Sequence, residues 1–104
     1  MKTPQTFQQK VYVIAAKIPK GKVATYGQLA KLAGSAGAAR AVGMAMKCNP
    51  DMKTVPCHRV VASDGKLTGY AFGNGVSTKK EKLVAEGVQF INDRVDLKKS
   101  LWRK

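Results

Sequence analysis

The stretch TYGQLAKLAGSAGAARAVGMAMK, Thr25 to Lys47, reads as two short helices joined by a tight turn, a helix-turn-helix candidate. Thr25 followed three residues later by Gln28 is a capping-box pattern. Leu29, Ala30, Leu32 and Ala33 supply a short apolar face, and Gly34 suits the left-handed residue that ends a helix. Beyond the small-residue turn Gly34-Ser35-Ala36-Gly37, the run from Ala38 to Lys47 is rich in alanine and methionine, which propagate a helix despite Gly43.

Upstream, Thr6 and Gln9 repeat the capping box. Phe7, Val11, Ile14 and Ile18 then recur at helical spacing until Pro19 and Gly21 stop the run. Downstream, Asn49-Pro50-Asp51 breaks the third helix, and Val55 to Ala62 reads as a buried extended segment. Asp64-Gly65 is a hairpin signal that returns the chain through Lys66 to Tyr70. The run AFGNG, Ala71 to Gly75, is a glycine-rich loop. Ser77 is the expected cap of a last helix running to Glu86, with Gly87 as its stop. In the basic tail from Asp93 to Lys104, Trp102 is expected to pack onto the core. The expected fold is mainly α with a small β hairpin. With 104 residues, of which 44% are hydrophobic, it forms one domain over residues 1–104 with room for one modest core.

Nineteen Lys plus Arg against six Asp plus Glu give a formal charge of +13, spread along the chain in pairs such as Lys79-Lys80 and Lys98-Lys99. Such a surface suits a polyanionic partner, because neutralising phosphates releases condensed counterions; it also serves solubility alone. Two cysteines, Cys48 and Cys57, without a leader-like apolar run, point to reduced thiols in the cytoplasm, and no stretch is fit to span a membrane. No metal site is expected, since there is no CxxC and His58 is the single histidine.

That histidine directly follows Cys57 in the run VPCHRVV, Val55 to Val61. A thiol attacks best as its thiolate, which a neighbouring base or positive field favours. Adjacency is awkward, because consecutive side chains of a strand point to opposite faces. Either the backbone turns at Cys57 or water bridges the two groups. An isolated Cys-His pair is also compatible with a small buried hydrophobe beside a satisfied polar residue.

The surrounding residues add to this reading. PCHRVV at Pro56 to Val61, preceded by RAVGMAMKCNP at Arg40 to Pro50 and KVATYGQLA at Lys22 to Ala30, closely resembles the DNA-binding and active-site domain of the alkylguanine-DNA alkyltransferases. The likeness runs from about Phe7 to the AEG at Ala85 to Gly87. It implies a winged-helix-like alkyltransferase C-terminal domain that repairs duplex DNA containing O6-alkylguanine as a cytoplasmic, nucleoid-associated monomer, with no metal and no organic cofactor.

By the resemblance, Cys57 is the alkyl acceptor, and His58 relays its proton through water toward Glu86. Asn49 braces the active-site segment, although as a plain helix stop before Pro50 it needs no such role. Tyr26 donates to the departing guanine, or is a half-buried aromatic at a helix start. Arg40 enters the duplex where the extruded nucleotide stood, or is an exposed, salt-bridging arginine. The small residues Ala38, Ala39, Ala41 and Gly43 let the recognition helix approach the minor groove, where the family docks it. The target base must flip out to be reached. The thioether formed cannot readily be cleaved, so turnover stops at one. The alternative is the alkyltransferase-like class, which binds alkylated DNA without repairing it and signals to excision repair; its members replace the reactive cysteine.

Overall fold

The computed structural model describes residues 6–49, 54–67 and 75–103. Helix α1 spans Phe7–Ala15, and its capping box is formed at both ends: the Thr6 hydroxyl accepts from the Gln9 backbone at 3.1 Å and Gln9 Oε1 accepts from the Thr6 backbone at 2.9 Å. The helix stops at Ala15, short of the apolar repeat that ends at Ile18. Lys17 and Ile18 donate instead to the carbonyls of Ile14 and Ala15, so the last turn tightens ahead of Pro19 and carries Ile18 into the core.

Strand β1 (Ala24–Thr25) leads into helix α2 (Tyr26–Leu32), where Thr25 and Gln28 form the second capping box. Helix α2 ends at Ala33, and Gly34 follows at φ +94°, the left-handed conformation its lack of a Cβ makes accessible. Helix α3 spans Ala39–Lys47. Its residues Val42, Ala45 and Met46 are buried, while Arg40, Ala41, Met44 and Lys47 face solvent, as an amphipathic helix requires. The two helices pack on each other as the helix-turn-helix. Helix α1 crosses behind them, with the Tyr12 hydroxyl donating to Ala45 O at 2.7 Å.

The expected extended segment from Val55 to Ala62 is mostly not extended. Cys57–Arg59 forms a single 3-10 turn, and only Val60–Val61 is strand, β2. Strand β2 pairs in parallel with β1, Ala24 opposite Val60 and Thr25 opposite Val61, rather than in a hairpin. Both valines are fully buried, as a two-sided strand demands, and they divide the interior. Val60 joins Val11, Ile18, Leu29, Val42 and Met46 on one side. Val61 joins Val23, Leu67, Leu83, Val88 and Val95 on the other. Opposite-pointing neighbours on one strand thus link two clusters.

Asp64-Gly65 does turn the chain: Gly65 donates to Ala62 O and Ala62 to Lys66 O. The returning arm, however, bridges to Arg94, and Gly65 lies so close to Val95 that an added Cβ would sit 2.5 Å from its carbonyl oxygen. The expected continuation to Tyr70 and the loop from Ala71 lie outside the described residues, apart from Leu67 and Gly75. Helix α4 (Val76–Ala85) has Gly75, not Ser77, at its N-cap, with no side-chain cap bond. Gly87, at φ +90°, ends it as expected.

The antiparallel hairpin lies further on, where β3 (Phe90–Ile91) pairs with β4 (Arg94–Val95). Its loop is Asn92-Asp93, with Asn92 at φ +57°, the positive value that hairpin turns require and asparagine tolerates. Helix α5 (Leu97–Ser100) follows, capped by Asp96. Trp102 then packs against the first cluster. Its backbone N–H donates to Val23 O at 2.7 Å, and Gln28 Nε2 donates to its carbonyl at 2.7 Å. The architecture is mainly helical with small sheet elements, and no helix among the described residues is long and apolar enough to cross a membrane.

Candidate active site

Pro56 sits at φ −79°, ψ 73°, the inverse γ-turn conformation, and Cys57 N donates across it to Val55 O at 2.8 Å. The same carbonyl accepts from Asn49 Nδ2 at 2.8 Å, so the residue just past α3 is bonded directly to the turn before the cysteine. Asn49 is 5% exposed. From Cys57 the chain enters the 3-10 turn, with Arg59 N donating to Pro56 O at 2.9 Å. Side chains splay by about a third of a turn at each 3-10 residue instead of alternating across a strand. Cys57 therefore faces the first apolar cluster, at 4% exposure, while His58 is directed to the end of α4.

There it meets Glu86. His58 Nε2 and Glu86 Oε1 are 3.0 Å apart, and Arg59 grips the same carboxylate at both oxygens, Nε to Oε1 at 2.9 Å and a terminal nitrogen to Oε2 at 2.7 Å. The remaining guanidinium nitrogen donates to Ile18 O at 2.8 Å. A carboxylate at a helix C-cap opposes the helix dipole. Burial also pushes the Glu86 carboxyl up, yet the hydrogen bonds from Arg59 and His58 outweigh this and leave it below its ordinary value. Burial lowers the His58 imidazole below 6.5, partly opposed by the bond to Glu86 and reinforced by the charges of Arg59 and Lys82. At neutral pH the pair is thus a carboxylate and a neutral imidazole. An ionised carboxylate can only accept, so Nε2 carries the imidazole hydrogen and Nδ1 carries the lone pair.

Tyr26, the first residue of α2, is half-buried against the first cluster. Above its ring, 5.8 Å from the centroid, lies the ammonium of Lys79. Lys79 is 1% exposed, and burial lowers its pKa to about 8 against the opposing pull of negative charge on Cys57. In the sequence it is one of the basic pair Lys79-Lys80. The signal that would have found it is helical register, since Lys79 and Leu83, one turn apart on α4, are both buried.

The residues expected to meet DNA lie together on α3. Arg40 and Ala41 are exposed, Ala39 and Gly43 half-buried. A Cβ added at Gly43 would meet nothing within 4 Å, so the fold itself does not require glycine there. The N-terminus of α3 lacks a side-chain cap.

The fold and site define a class of protein: a helix-turn-helix domain with a buried cysteine directly followed by a neutral histidine that is bonded to an arginine-clamped glutamate. The chain belongs to the family described as 6-O-methylguanine DNA methyltransferase, DNA binding domain, whose model matches residues 6–88. It is 48% identical over 80 residues to the methylated-DNA--protein-cysteine methyltransferase of Mycobacterium bovis, a match covering 77% of this chain and 47% of that protein. It is 41% identical over 103 residues to the DNA base-flipping protein of Escherichia coli, covering 98% of this chain and 78% of that one. The structure of S. pombe Atl1 in complex with damaged DNA containing O6-carboxymethylguanine superposes with a TM-score of 0.80 at 35% identity, covering 94% of this chain and 95% of that chain. The chain thus spans about half the length of the methyltransferase relative and most of the other two.

Proposed function

We propose that the protein repairs duplex DNA by a single-turnover transfer of an alkyl group from the O6 oxygen of guanine to Cys57. The observation that carries this reading is the turn that places Cys57 and His58 on different bearings, with the imidazole bonded through Nε2 to Glu86 at 3.0 Å. The thiol proton passes through water to Nδ1. The thiolate then attacks the alkyl carbon in line, forming the S–C bond as the C–O6 bond breaks. The electron pair moves onto the guanine, which takes up a proton at the ring, with Tyr26 as the donor that assists its departure. The proton lost by sulfur balances the one gained by the base, and the thioether persists.

Docking falls to α3. Its small residues Ala39, Ala41 and Gly43 admit a close approach to the minor groove, and Arg40 fills the gap left by the extruded nucleotide. Extrusion costs a few kcal/mol, which such a wedge helps offset. Partners are expected to include no membrane, and the protein is expected to act as a monomer without metal or cofactor.

A second reading, recognition of alkylated DNA without transfer, is favoured by one observation. The family model ends at residue 88, whereas the matches with the E. coli base-flipping protein and with Atl1 cover nearly the whole chain. The match with the E. coli base-flipping protein therefore takes in β3, β4, α5 and the Trp102 segment tied to Val23 and Gln28. Retention of Cys57 favours the first reading. Incubation with an O6-methylguanine duplex followed by peptide mass spectrometry separates the two: transfer leaves an S-methyl group on Cys57, and recognition alone leaves a tight complex with a free thiol.

A further inference from the structure

Arg59 is anchored at both ends. One arm holds the carbonyl of Ile18 at 2.8 Å, in the turn after α1, and two nitrogens hold the oxygens of Glu86 at 2.9 and 2.7 Å, at the end of α4. The carboxylate therefore has little freedom to rotate, and Oε1 is the oxygen it presents to the imidazole. We propose that Arg59 is the positioning residue of this site: by gripping both carboxylate oxygens it keeps Glu86 turned to accept from His58 Nε2, which leaves Nδ1 as the acceptor and makes His58, rather than Glu86, the group that takes the proton from Cys57. The last step rests on the reading of Cys57 as alkyl acceptor; the tautomer of His58 does not.

For Glu86 to take the proton, the carboxylate would have to weaken two charge-assisted bonds to the guanidinium. Ordinary imidazole and carboxyl values already differ by about two pH units, on the order of a hundredfold against that transfer. The imidazolium formed beside Cys57 faces Glu86 and Lys82 from α4, Arg59 from its own turn, and Lys20 across a shallow cleft lined by Lys20, His58, Lys82, Ala85 and Glu86. That surplus of positive charge keeps the imidazolium short-lived, and the cleft gives its proton a way out to solvent.

His58 is the single histidine of the chain, so its ring signals need no assignment. Nitrogen-15 NMR of the imidazole, titrated in the full chain, reads tautomer and midpoint together. Wild type is expected to hold the Nε2–H form. Arg59→Gln removes both grip and charge, so its neutral ring becomes a tautomer mixture and its midpoint moves up. Arg59→Lys keeps charge without the two-pronged grip and gives the mixture with a smaller rise. Lys82→Gln raises the midpoint and leaves the tautomer unchanged. An Nδ1–H ring in wild type, or a tautomer unmoved in Arg59→Gln, overturns the proposal; if Arg59→Gln does not fold, Arg59→Lys and Lys82→Gln decide it. For the last step, the rate of Cys57 alkylation should fall as pH drops through the NMR midpoint, and this acid limb should move up with it in Arg59→Gln. A limb that ignores the midpoint overturns that step. A wild-type Cys57 that never becomes alkylated overturns the reading of function while the tautomer result still stands.

Discussion

Replacing Lys79 by methionine should make the protein more stable at neutral pH. The ammonium is 1% exposed and its pKa is lowered to about 8. Against an ordinary value near 10.5, the difference of about 2.5 units corresponds to about 3 kcal/mol of unfavourable burial at pH 7, at about 1.4 kcal/mol per unit. Methionine fills a similar volume without the charge. It forfeits the contact with the Tyr26 ring, worth about 1 kcal/mol, together with the ammonium's other polar contacts, so a net gain of at most about 2 kcal/mol is expected. The pH dependence provides the sharper check. The unfolded lysine keeps its proton up to about pH 10.4, whereas the folded one gives it up near 8, so between these values the unfolded state binds more protons and wild-type stability rises with pH. Below about 8 the burial cost is fully present. Urea unfolding of both proteins at pH 7 and pH 10 should therefore show a Lys79→Met advantage that shrinks by roughly 2 kcal/mol across that interval, while other titrating groups cancel in the difference. A destabilised Lys79→Met, or an advantage unchanged with pH, would refute the reasoning. A stable variant with slower alkyl transfer would mean that the buried charge is kept for the chemistry at Cys57, where it favours the thiolate formed on proton loss.

Gly43→Ala should stabilise α3 by about 0.5–1 kcal/mol, because glycine inside a helix costs entropy and the added methyl meets nothing. It should nevertheless weaken duplex binding in a titration; unchanged affinity would remove the close-approach role of that position. Asn49→Ala leaves Val55 O without its second donor and should lower stability by about 1–3 kcal/mol by urea midpoint. Arg40→Ala should weaken lesion binding about tenfold, well beyond the loss for Lys31→Ala, because it removes a wedge as well as a charge; equal losses would contradict the wedge.

The helical frame was legible in the sequence because its signals are local. Both Thr-x-x-Gln boxes formed, and Gly34 and Gly87 ended the helices they follow. The strand pairing was not legible, since Val60-Val61 carries no mark of its distant parallel partner Ala24-Thr25, and the Asp64-Gly65 turn is the same whether its return arm pairs locally or with Arg94. The Asn92-Asp93 hairpin does carry a local signal, an asparagine at the position of positive φ. At the site, the run from Pro56 to Val61 marks Cys57 and His58, but the 3-10 turn that splays them, and the bond from Asn49 to the Val55 carbonyl just before it, have no signature in that run. Nothing in the sequence sets Arg59 apart from the rest of PCHRVV, or Lys79 from its neighbour Lys80. Their importance comes from what they touch, Glu86 and Ile18 in one case and the Tyr26 ring in the other.

The chain contains its own control for the central claim, since Cys48 is exposed and Cys57 is buried. After reaction with an O6-methylguanine duplex, tandem mass spectrometry of the peptides carrying each cysteine should find Cys57 heavier by one methyl group, in proportion to guanine restored, and Cys48 unchanged. Methyl on both cysteines, or on neither while the lesion remains in a tight complex, would contradict transfer to Cys57 alone.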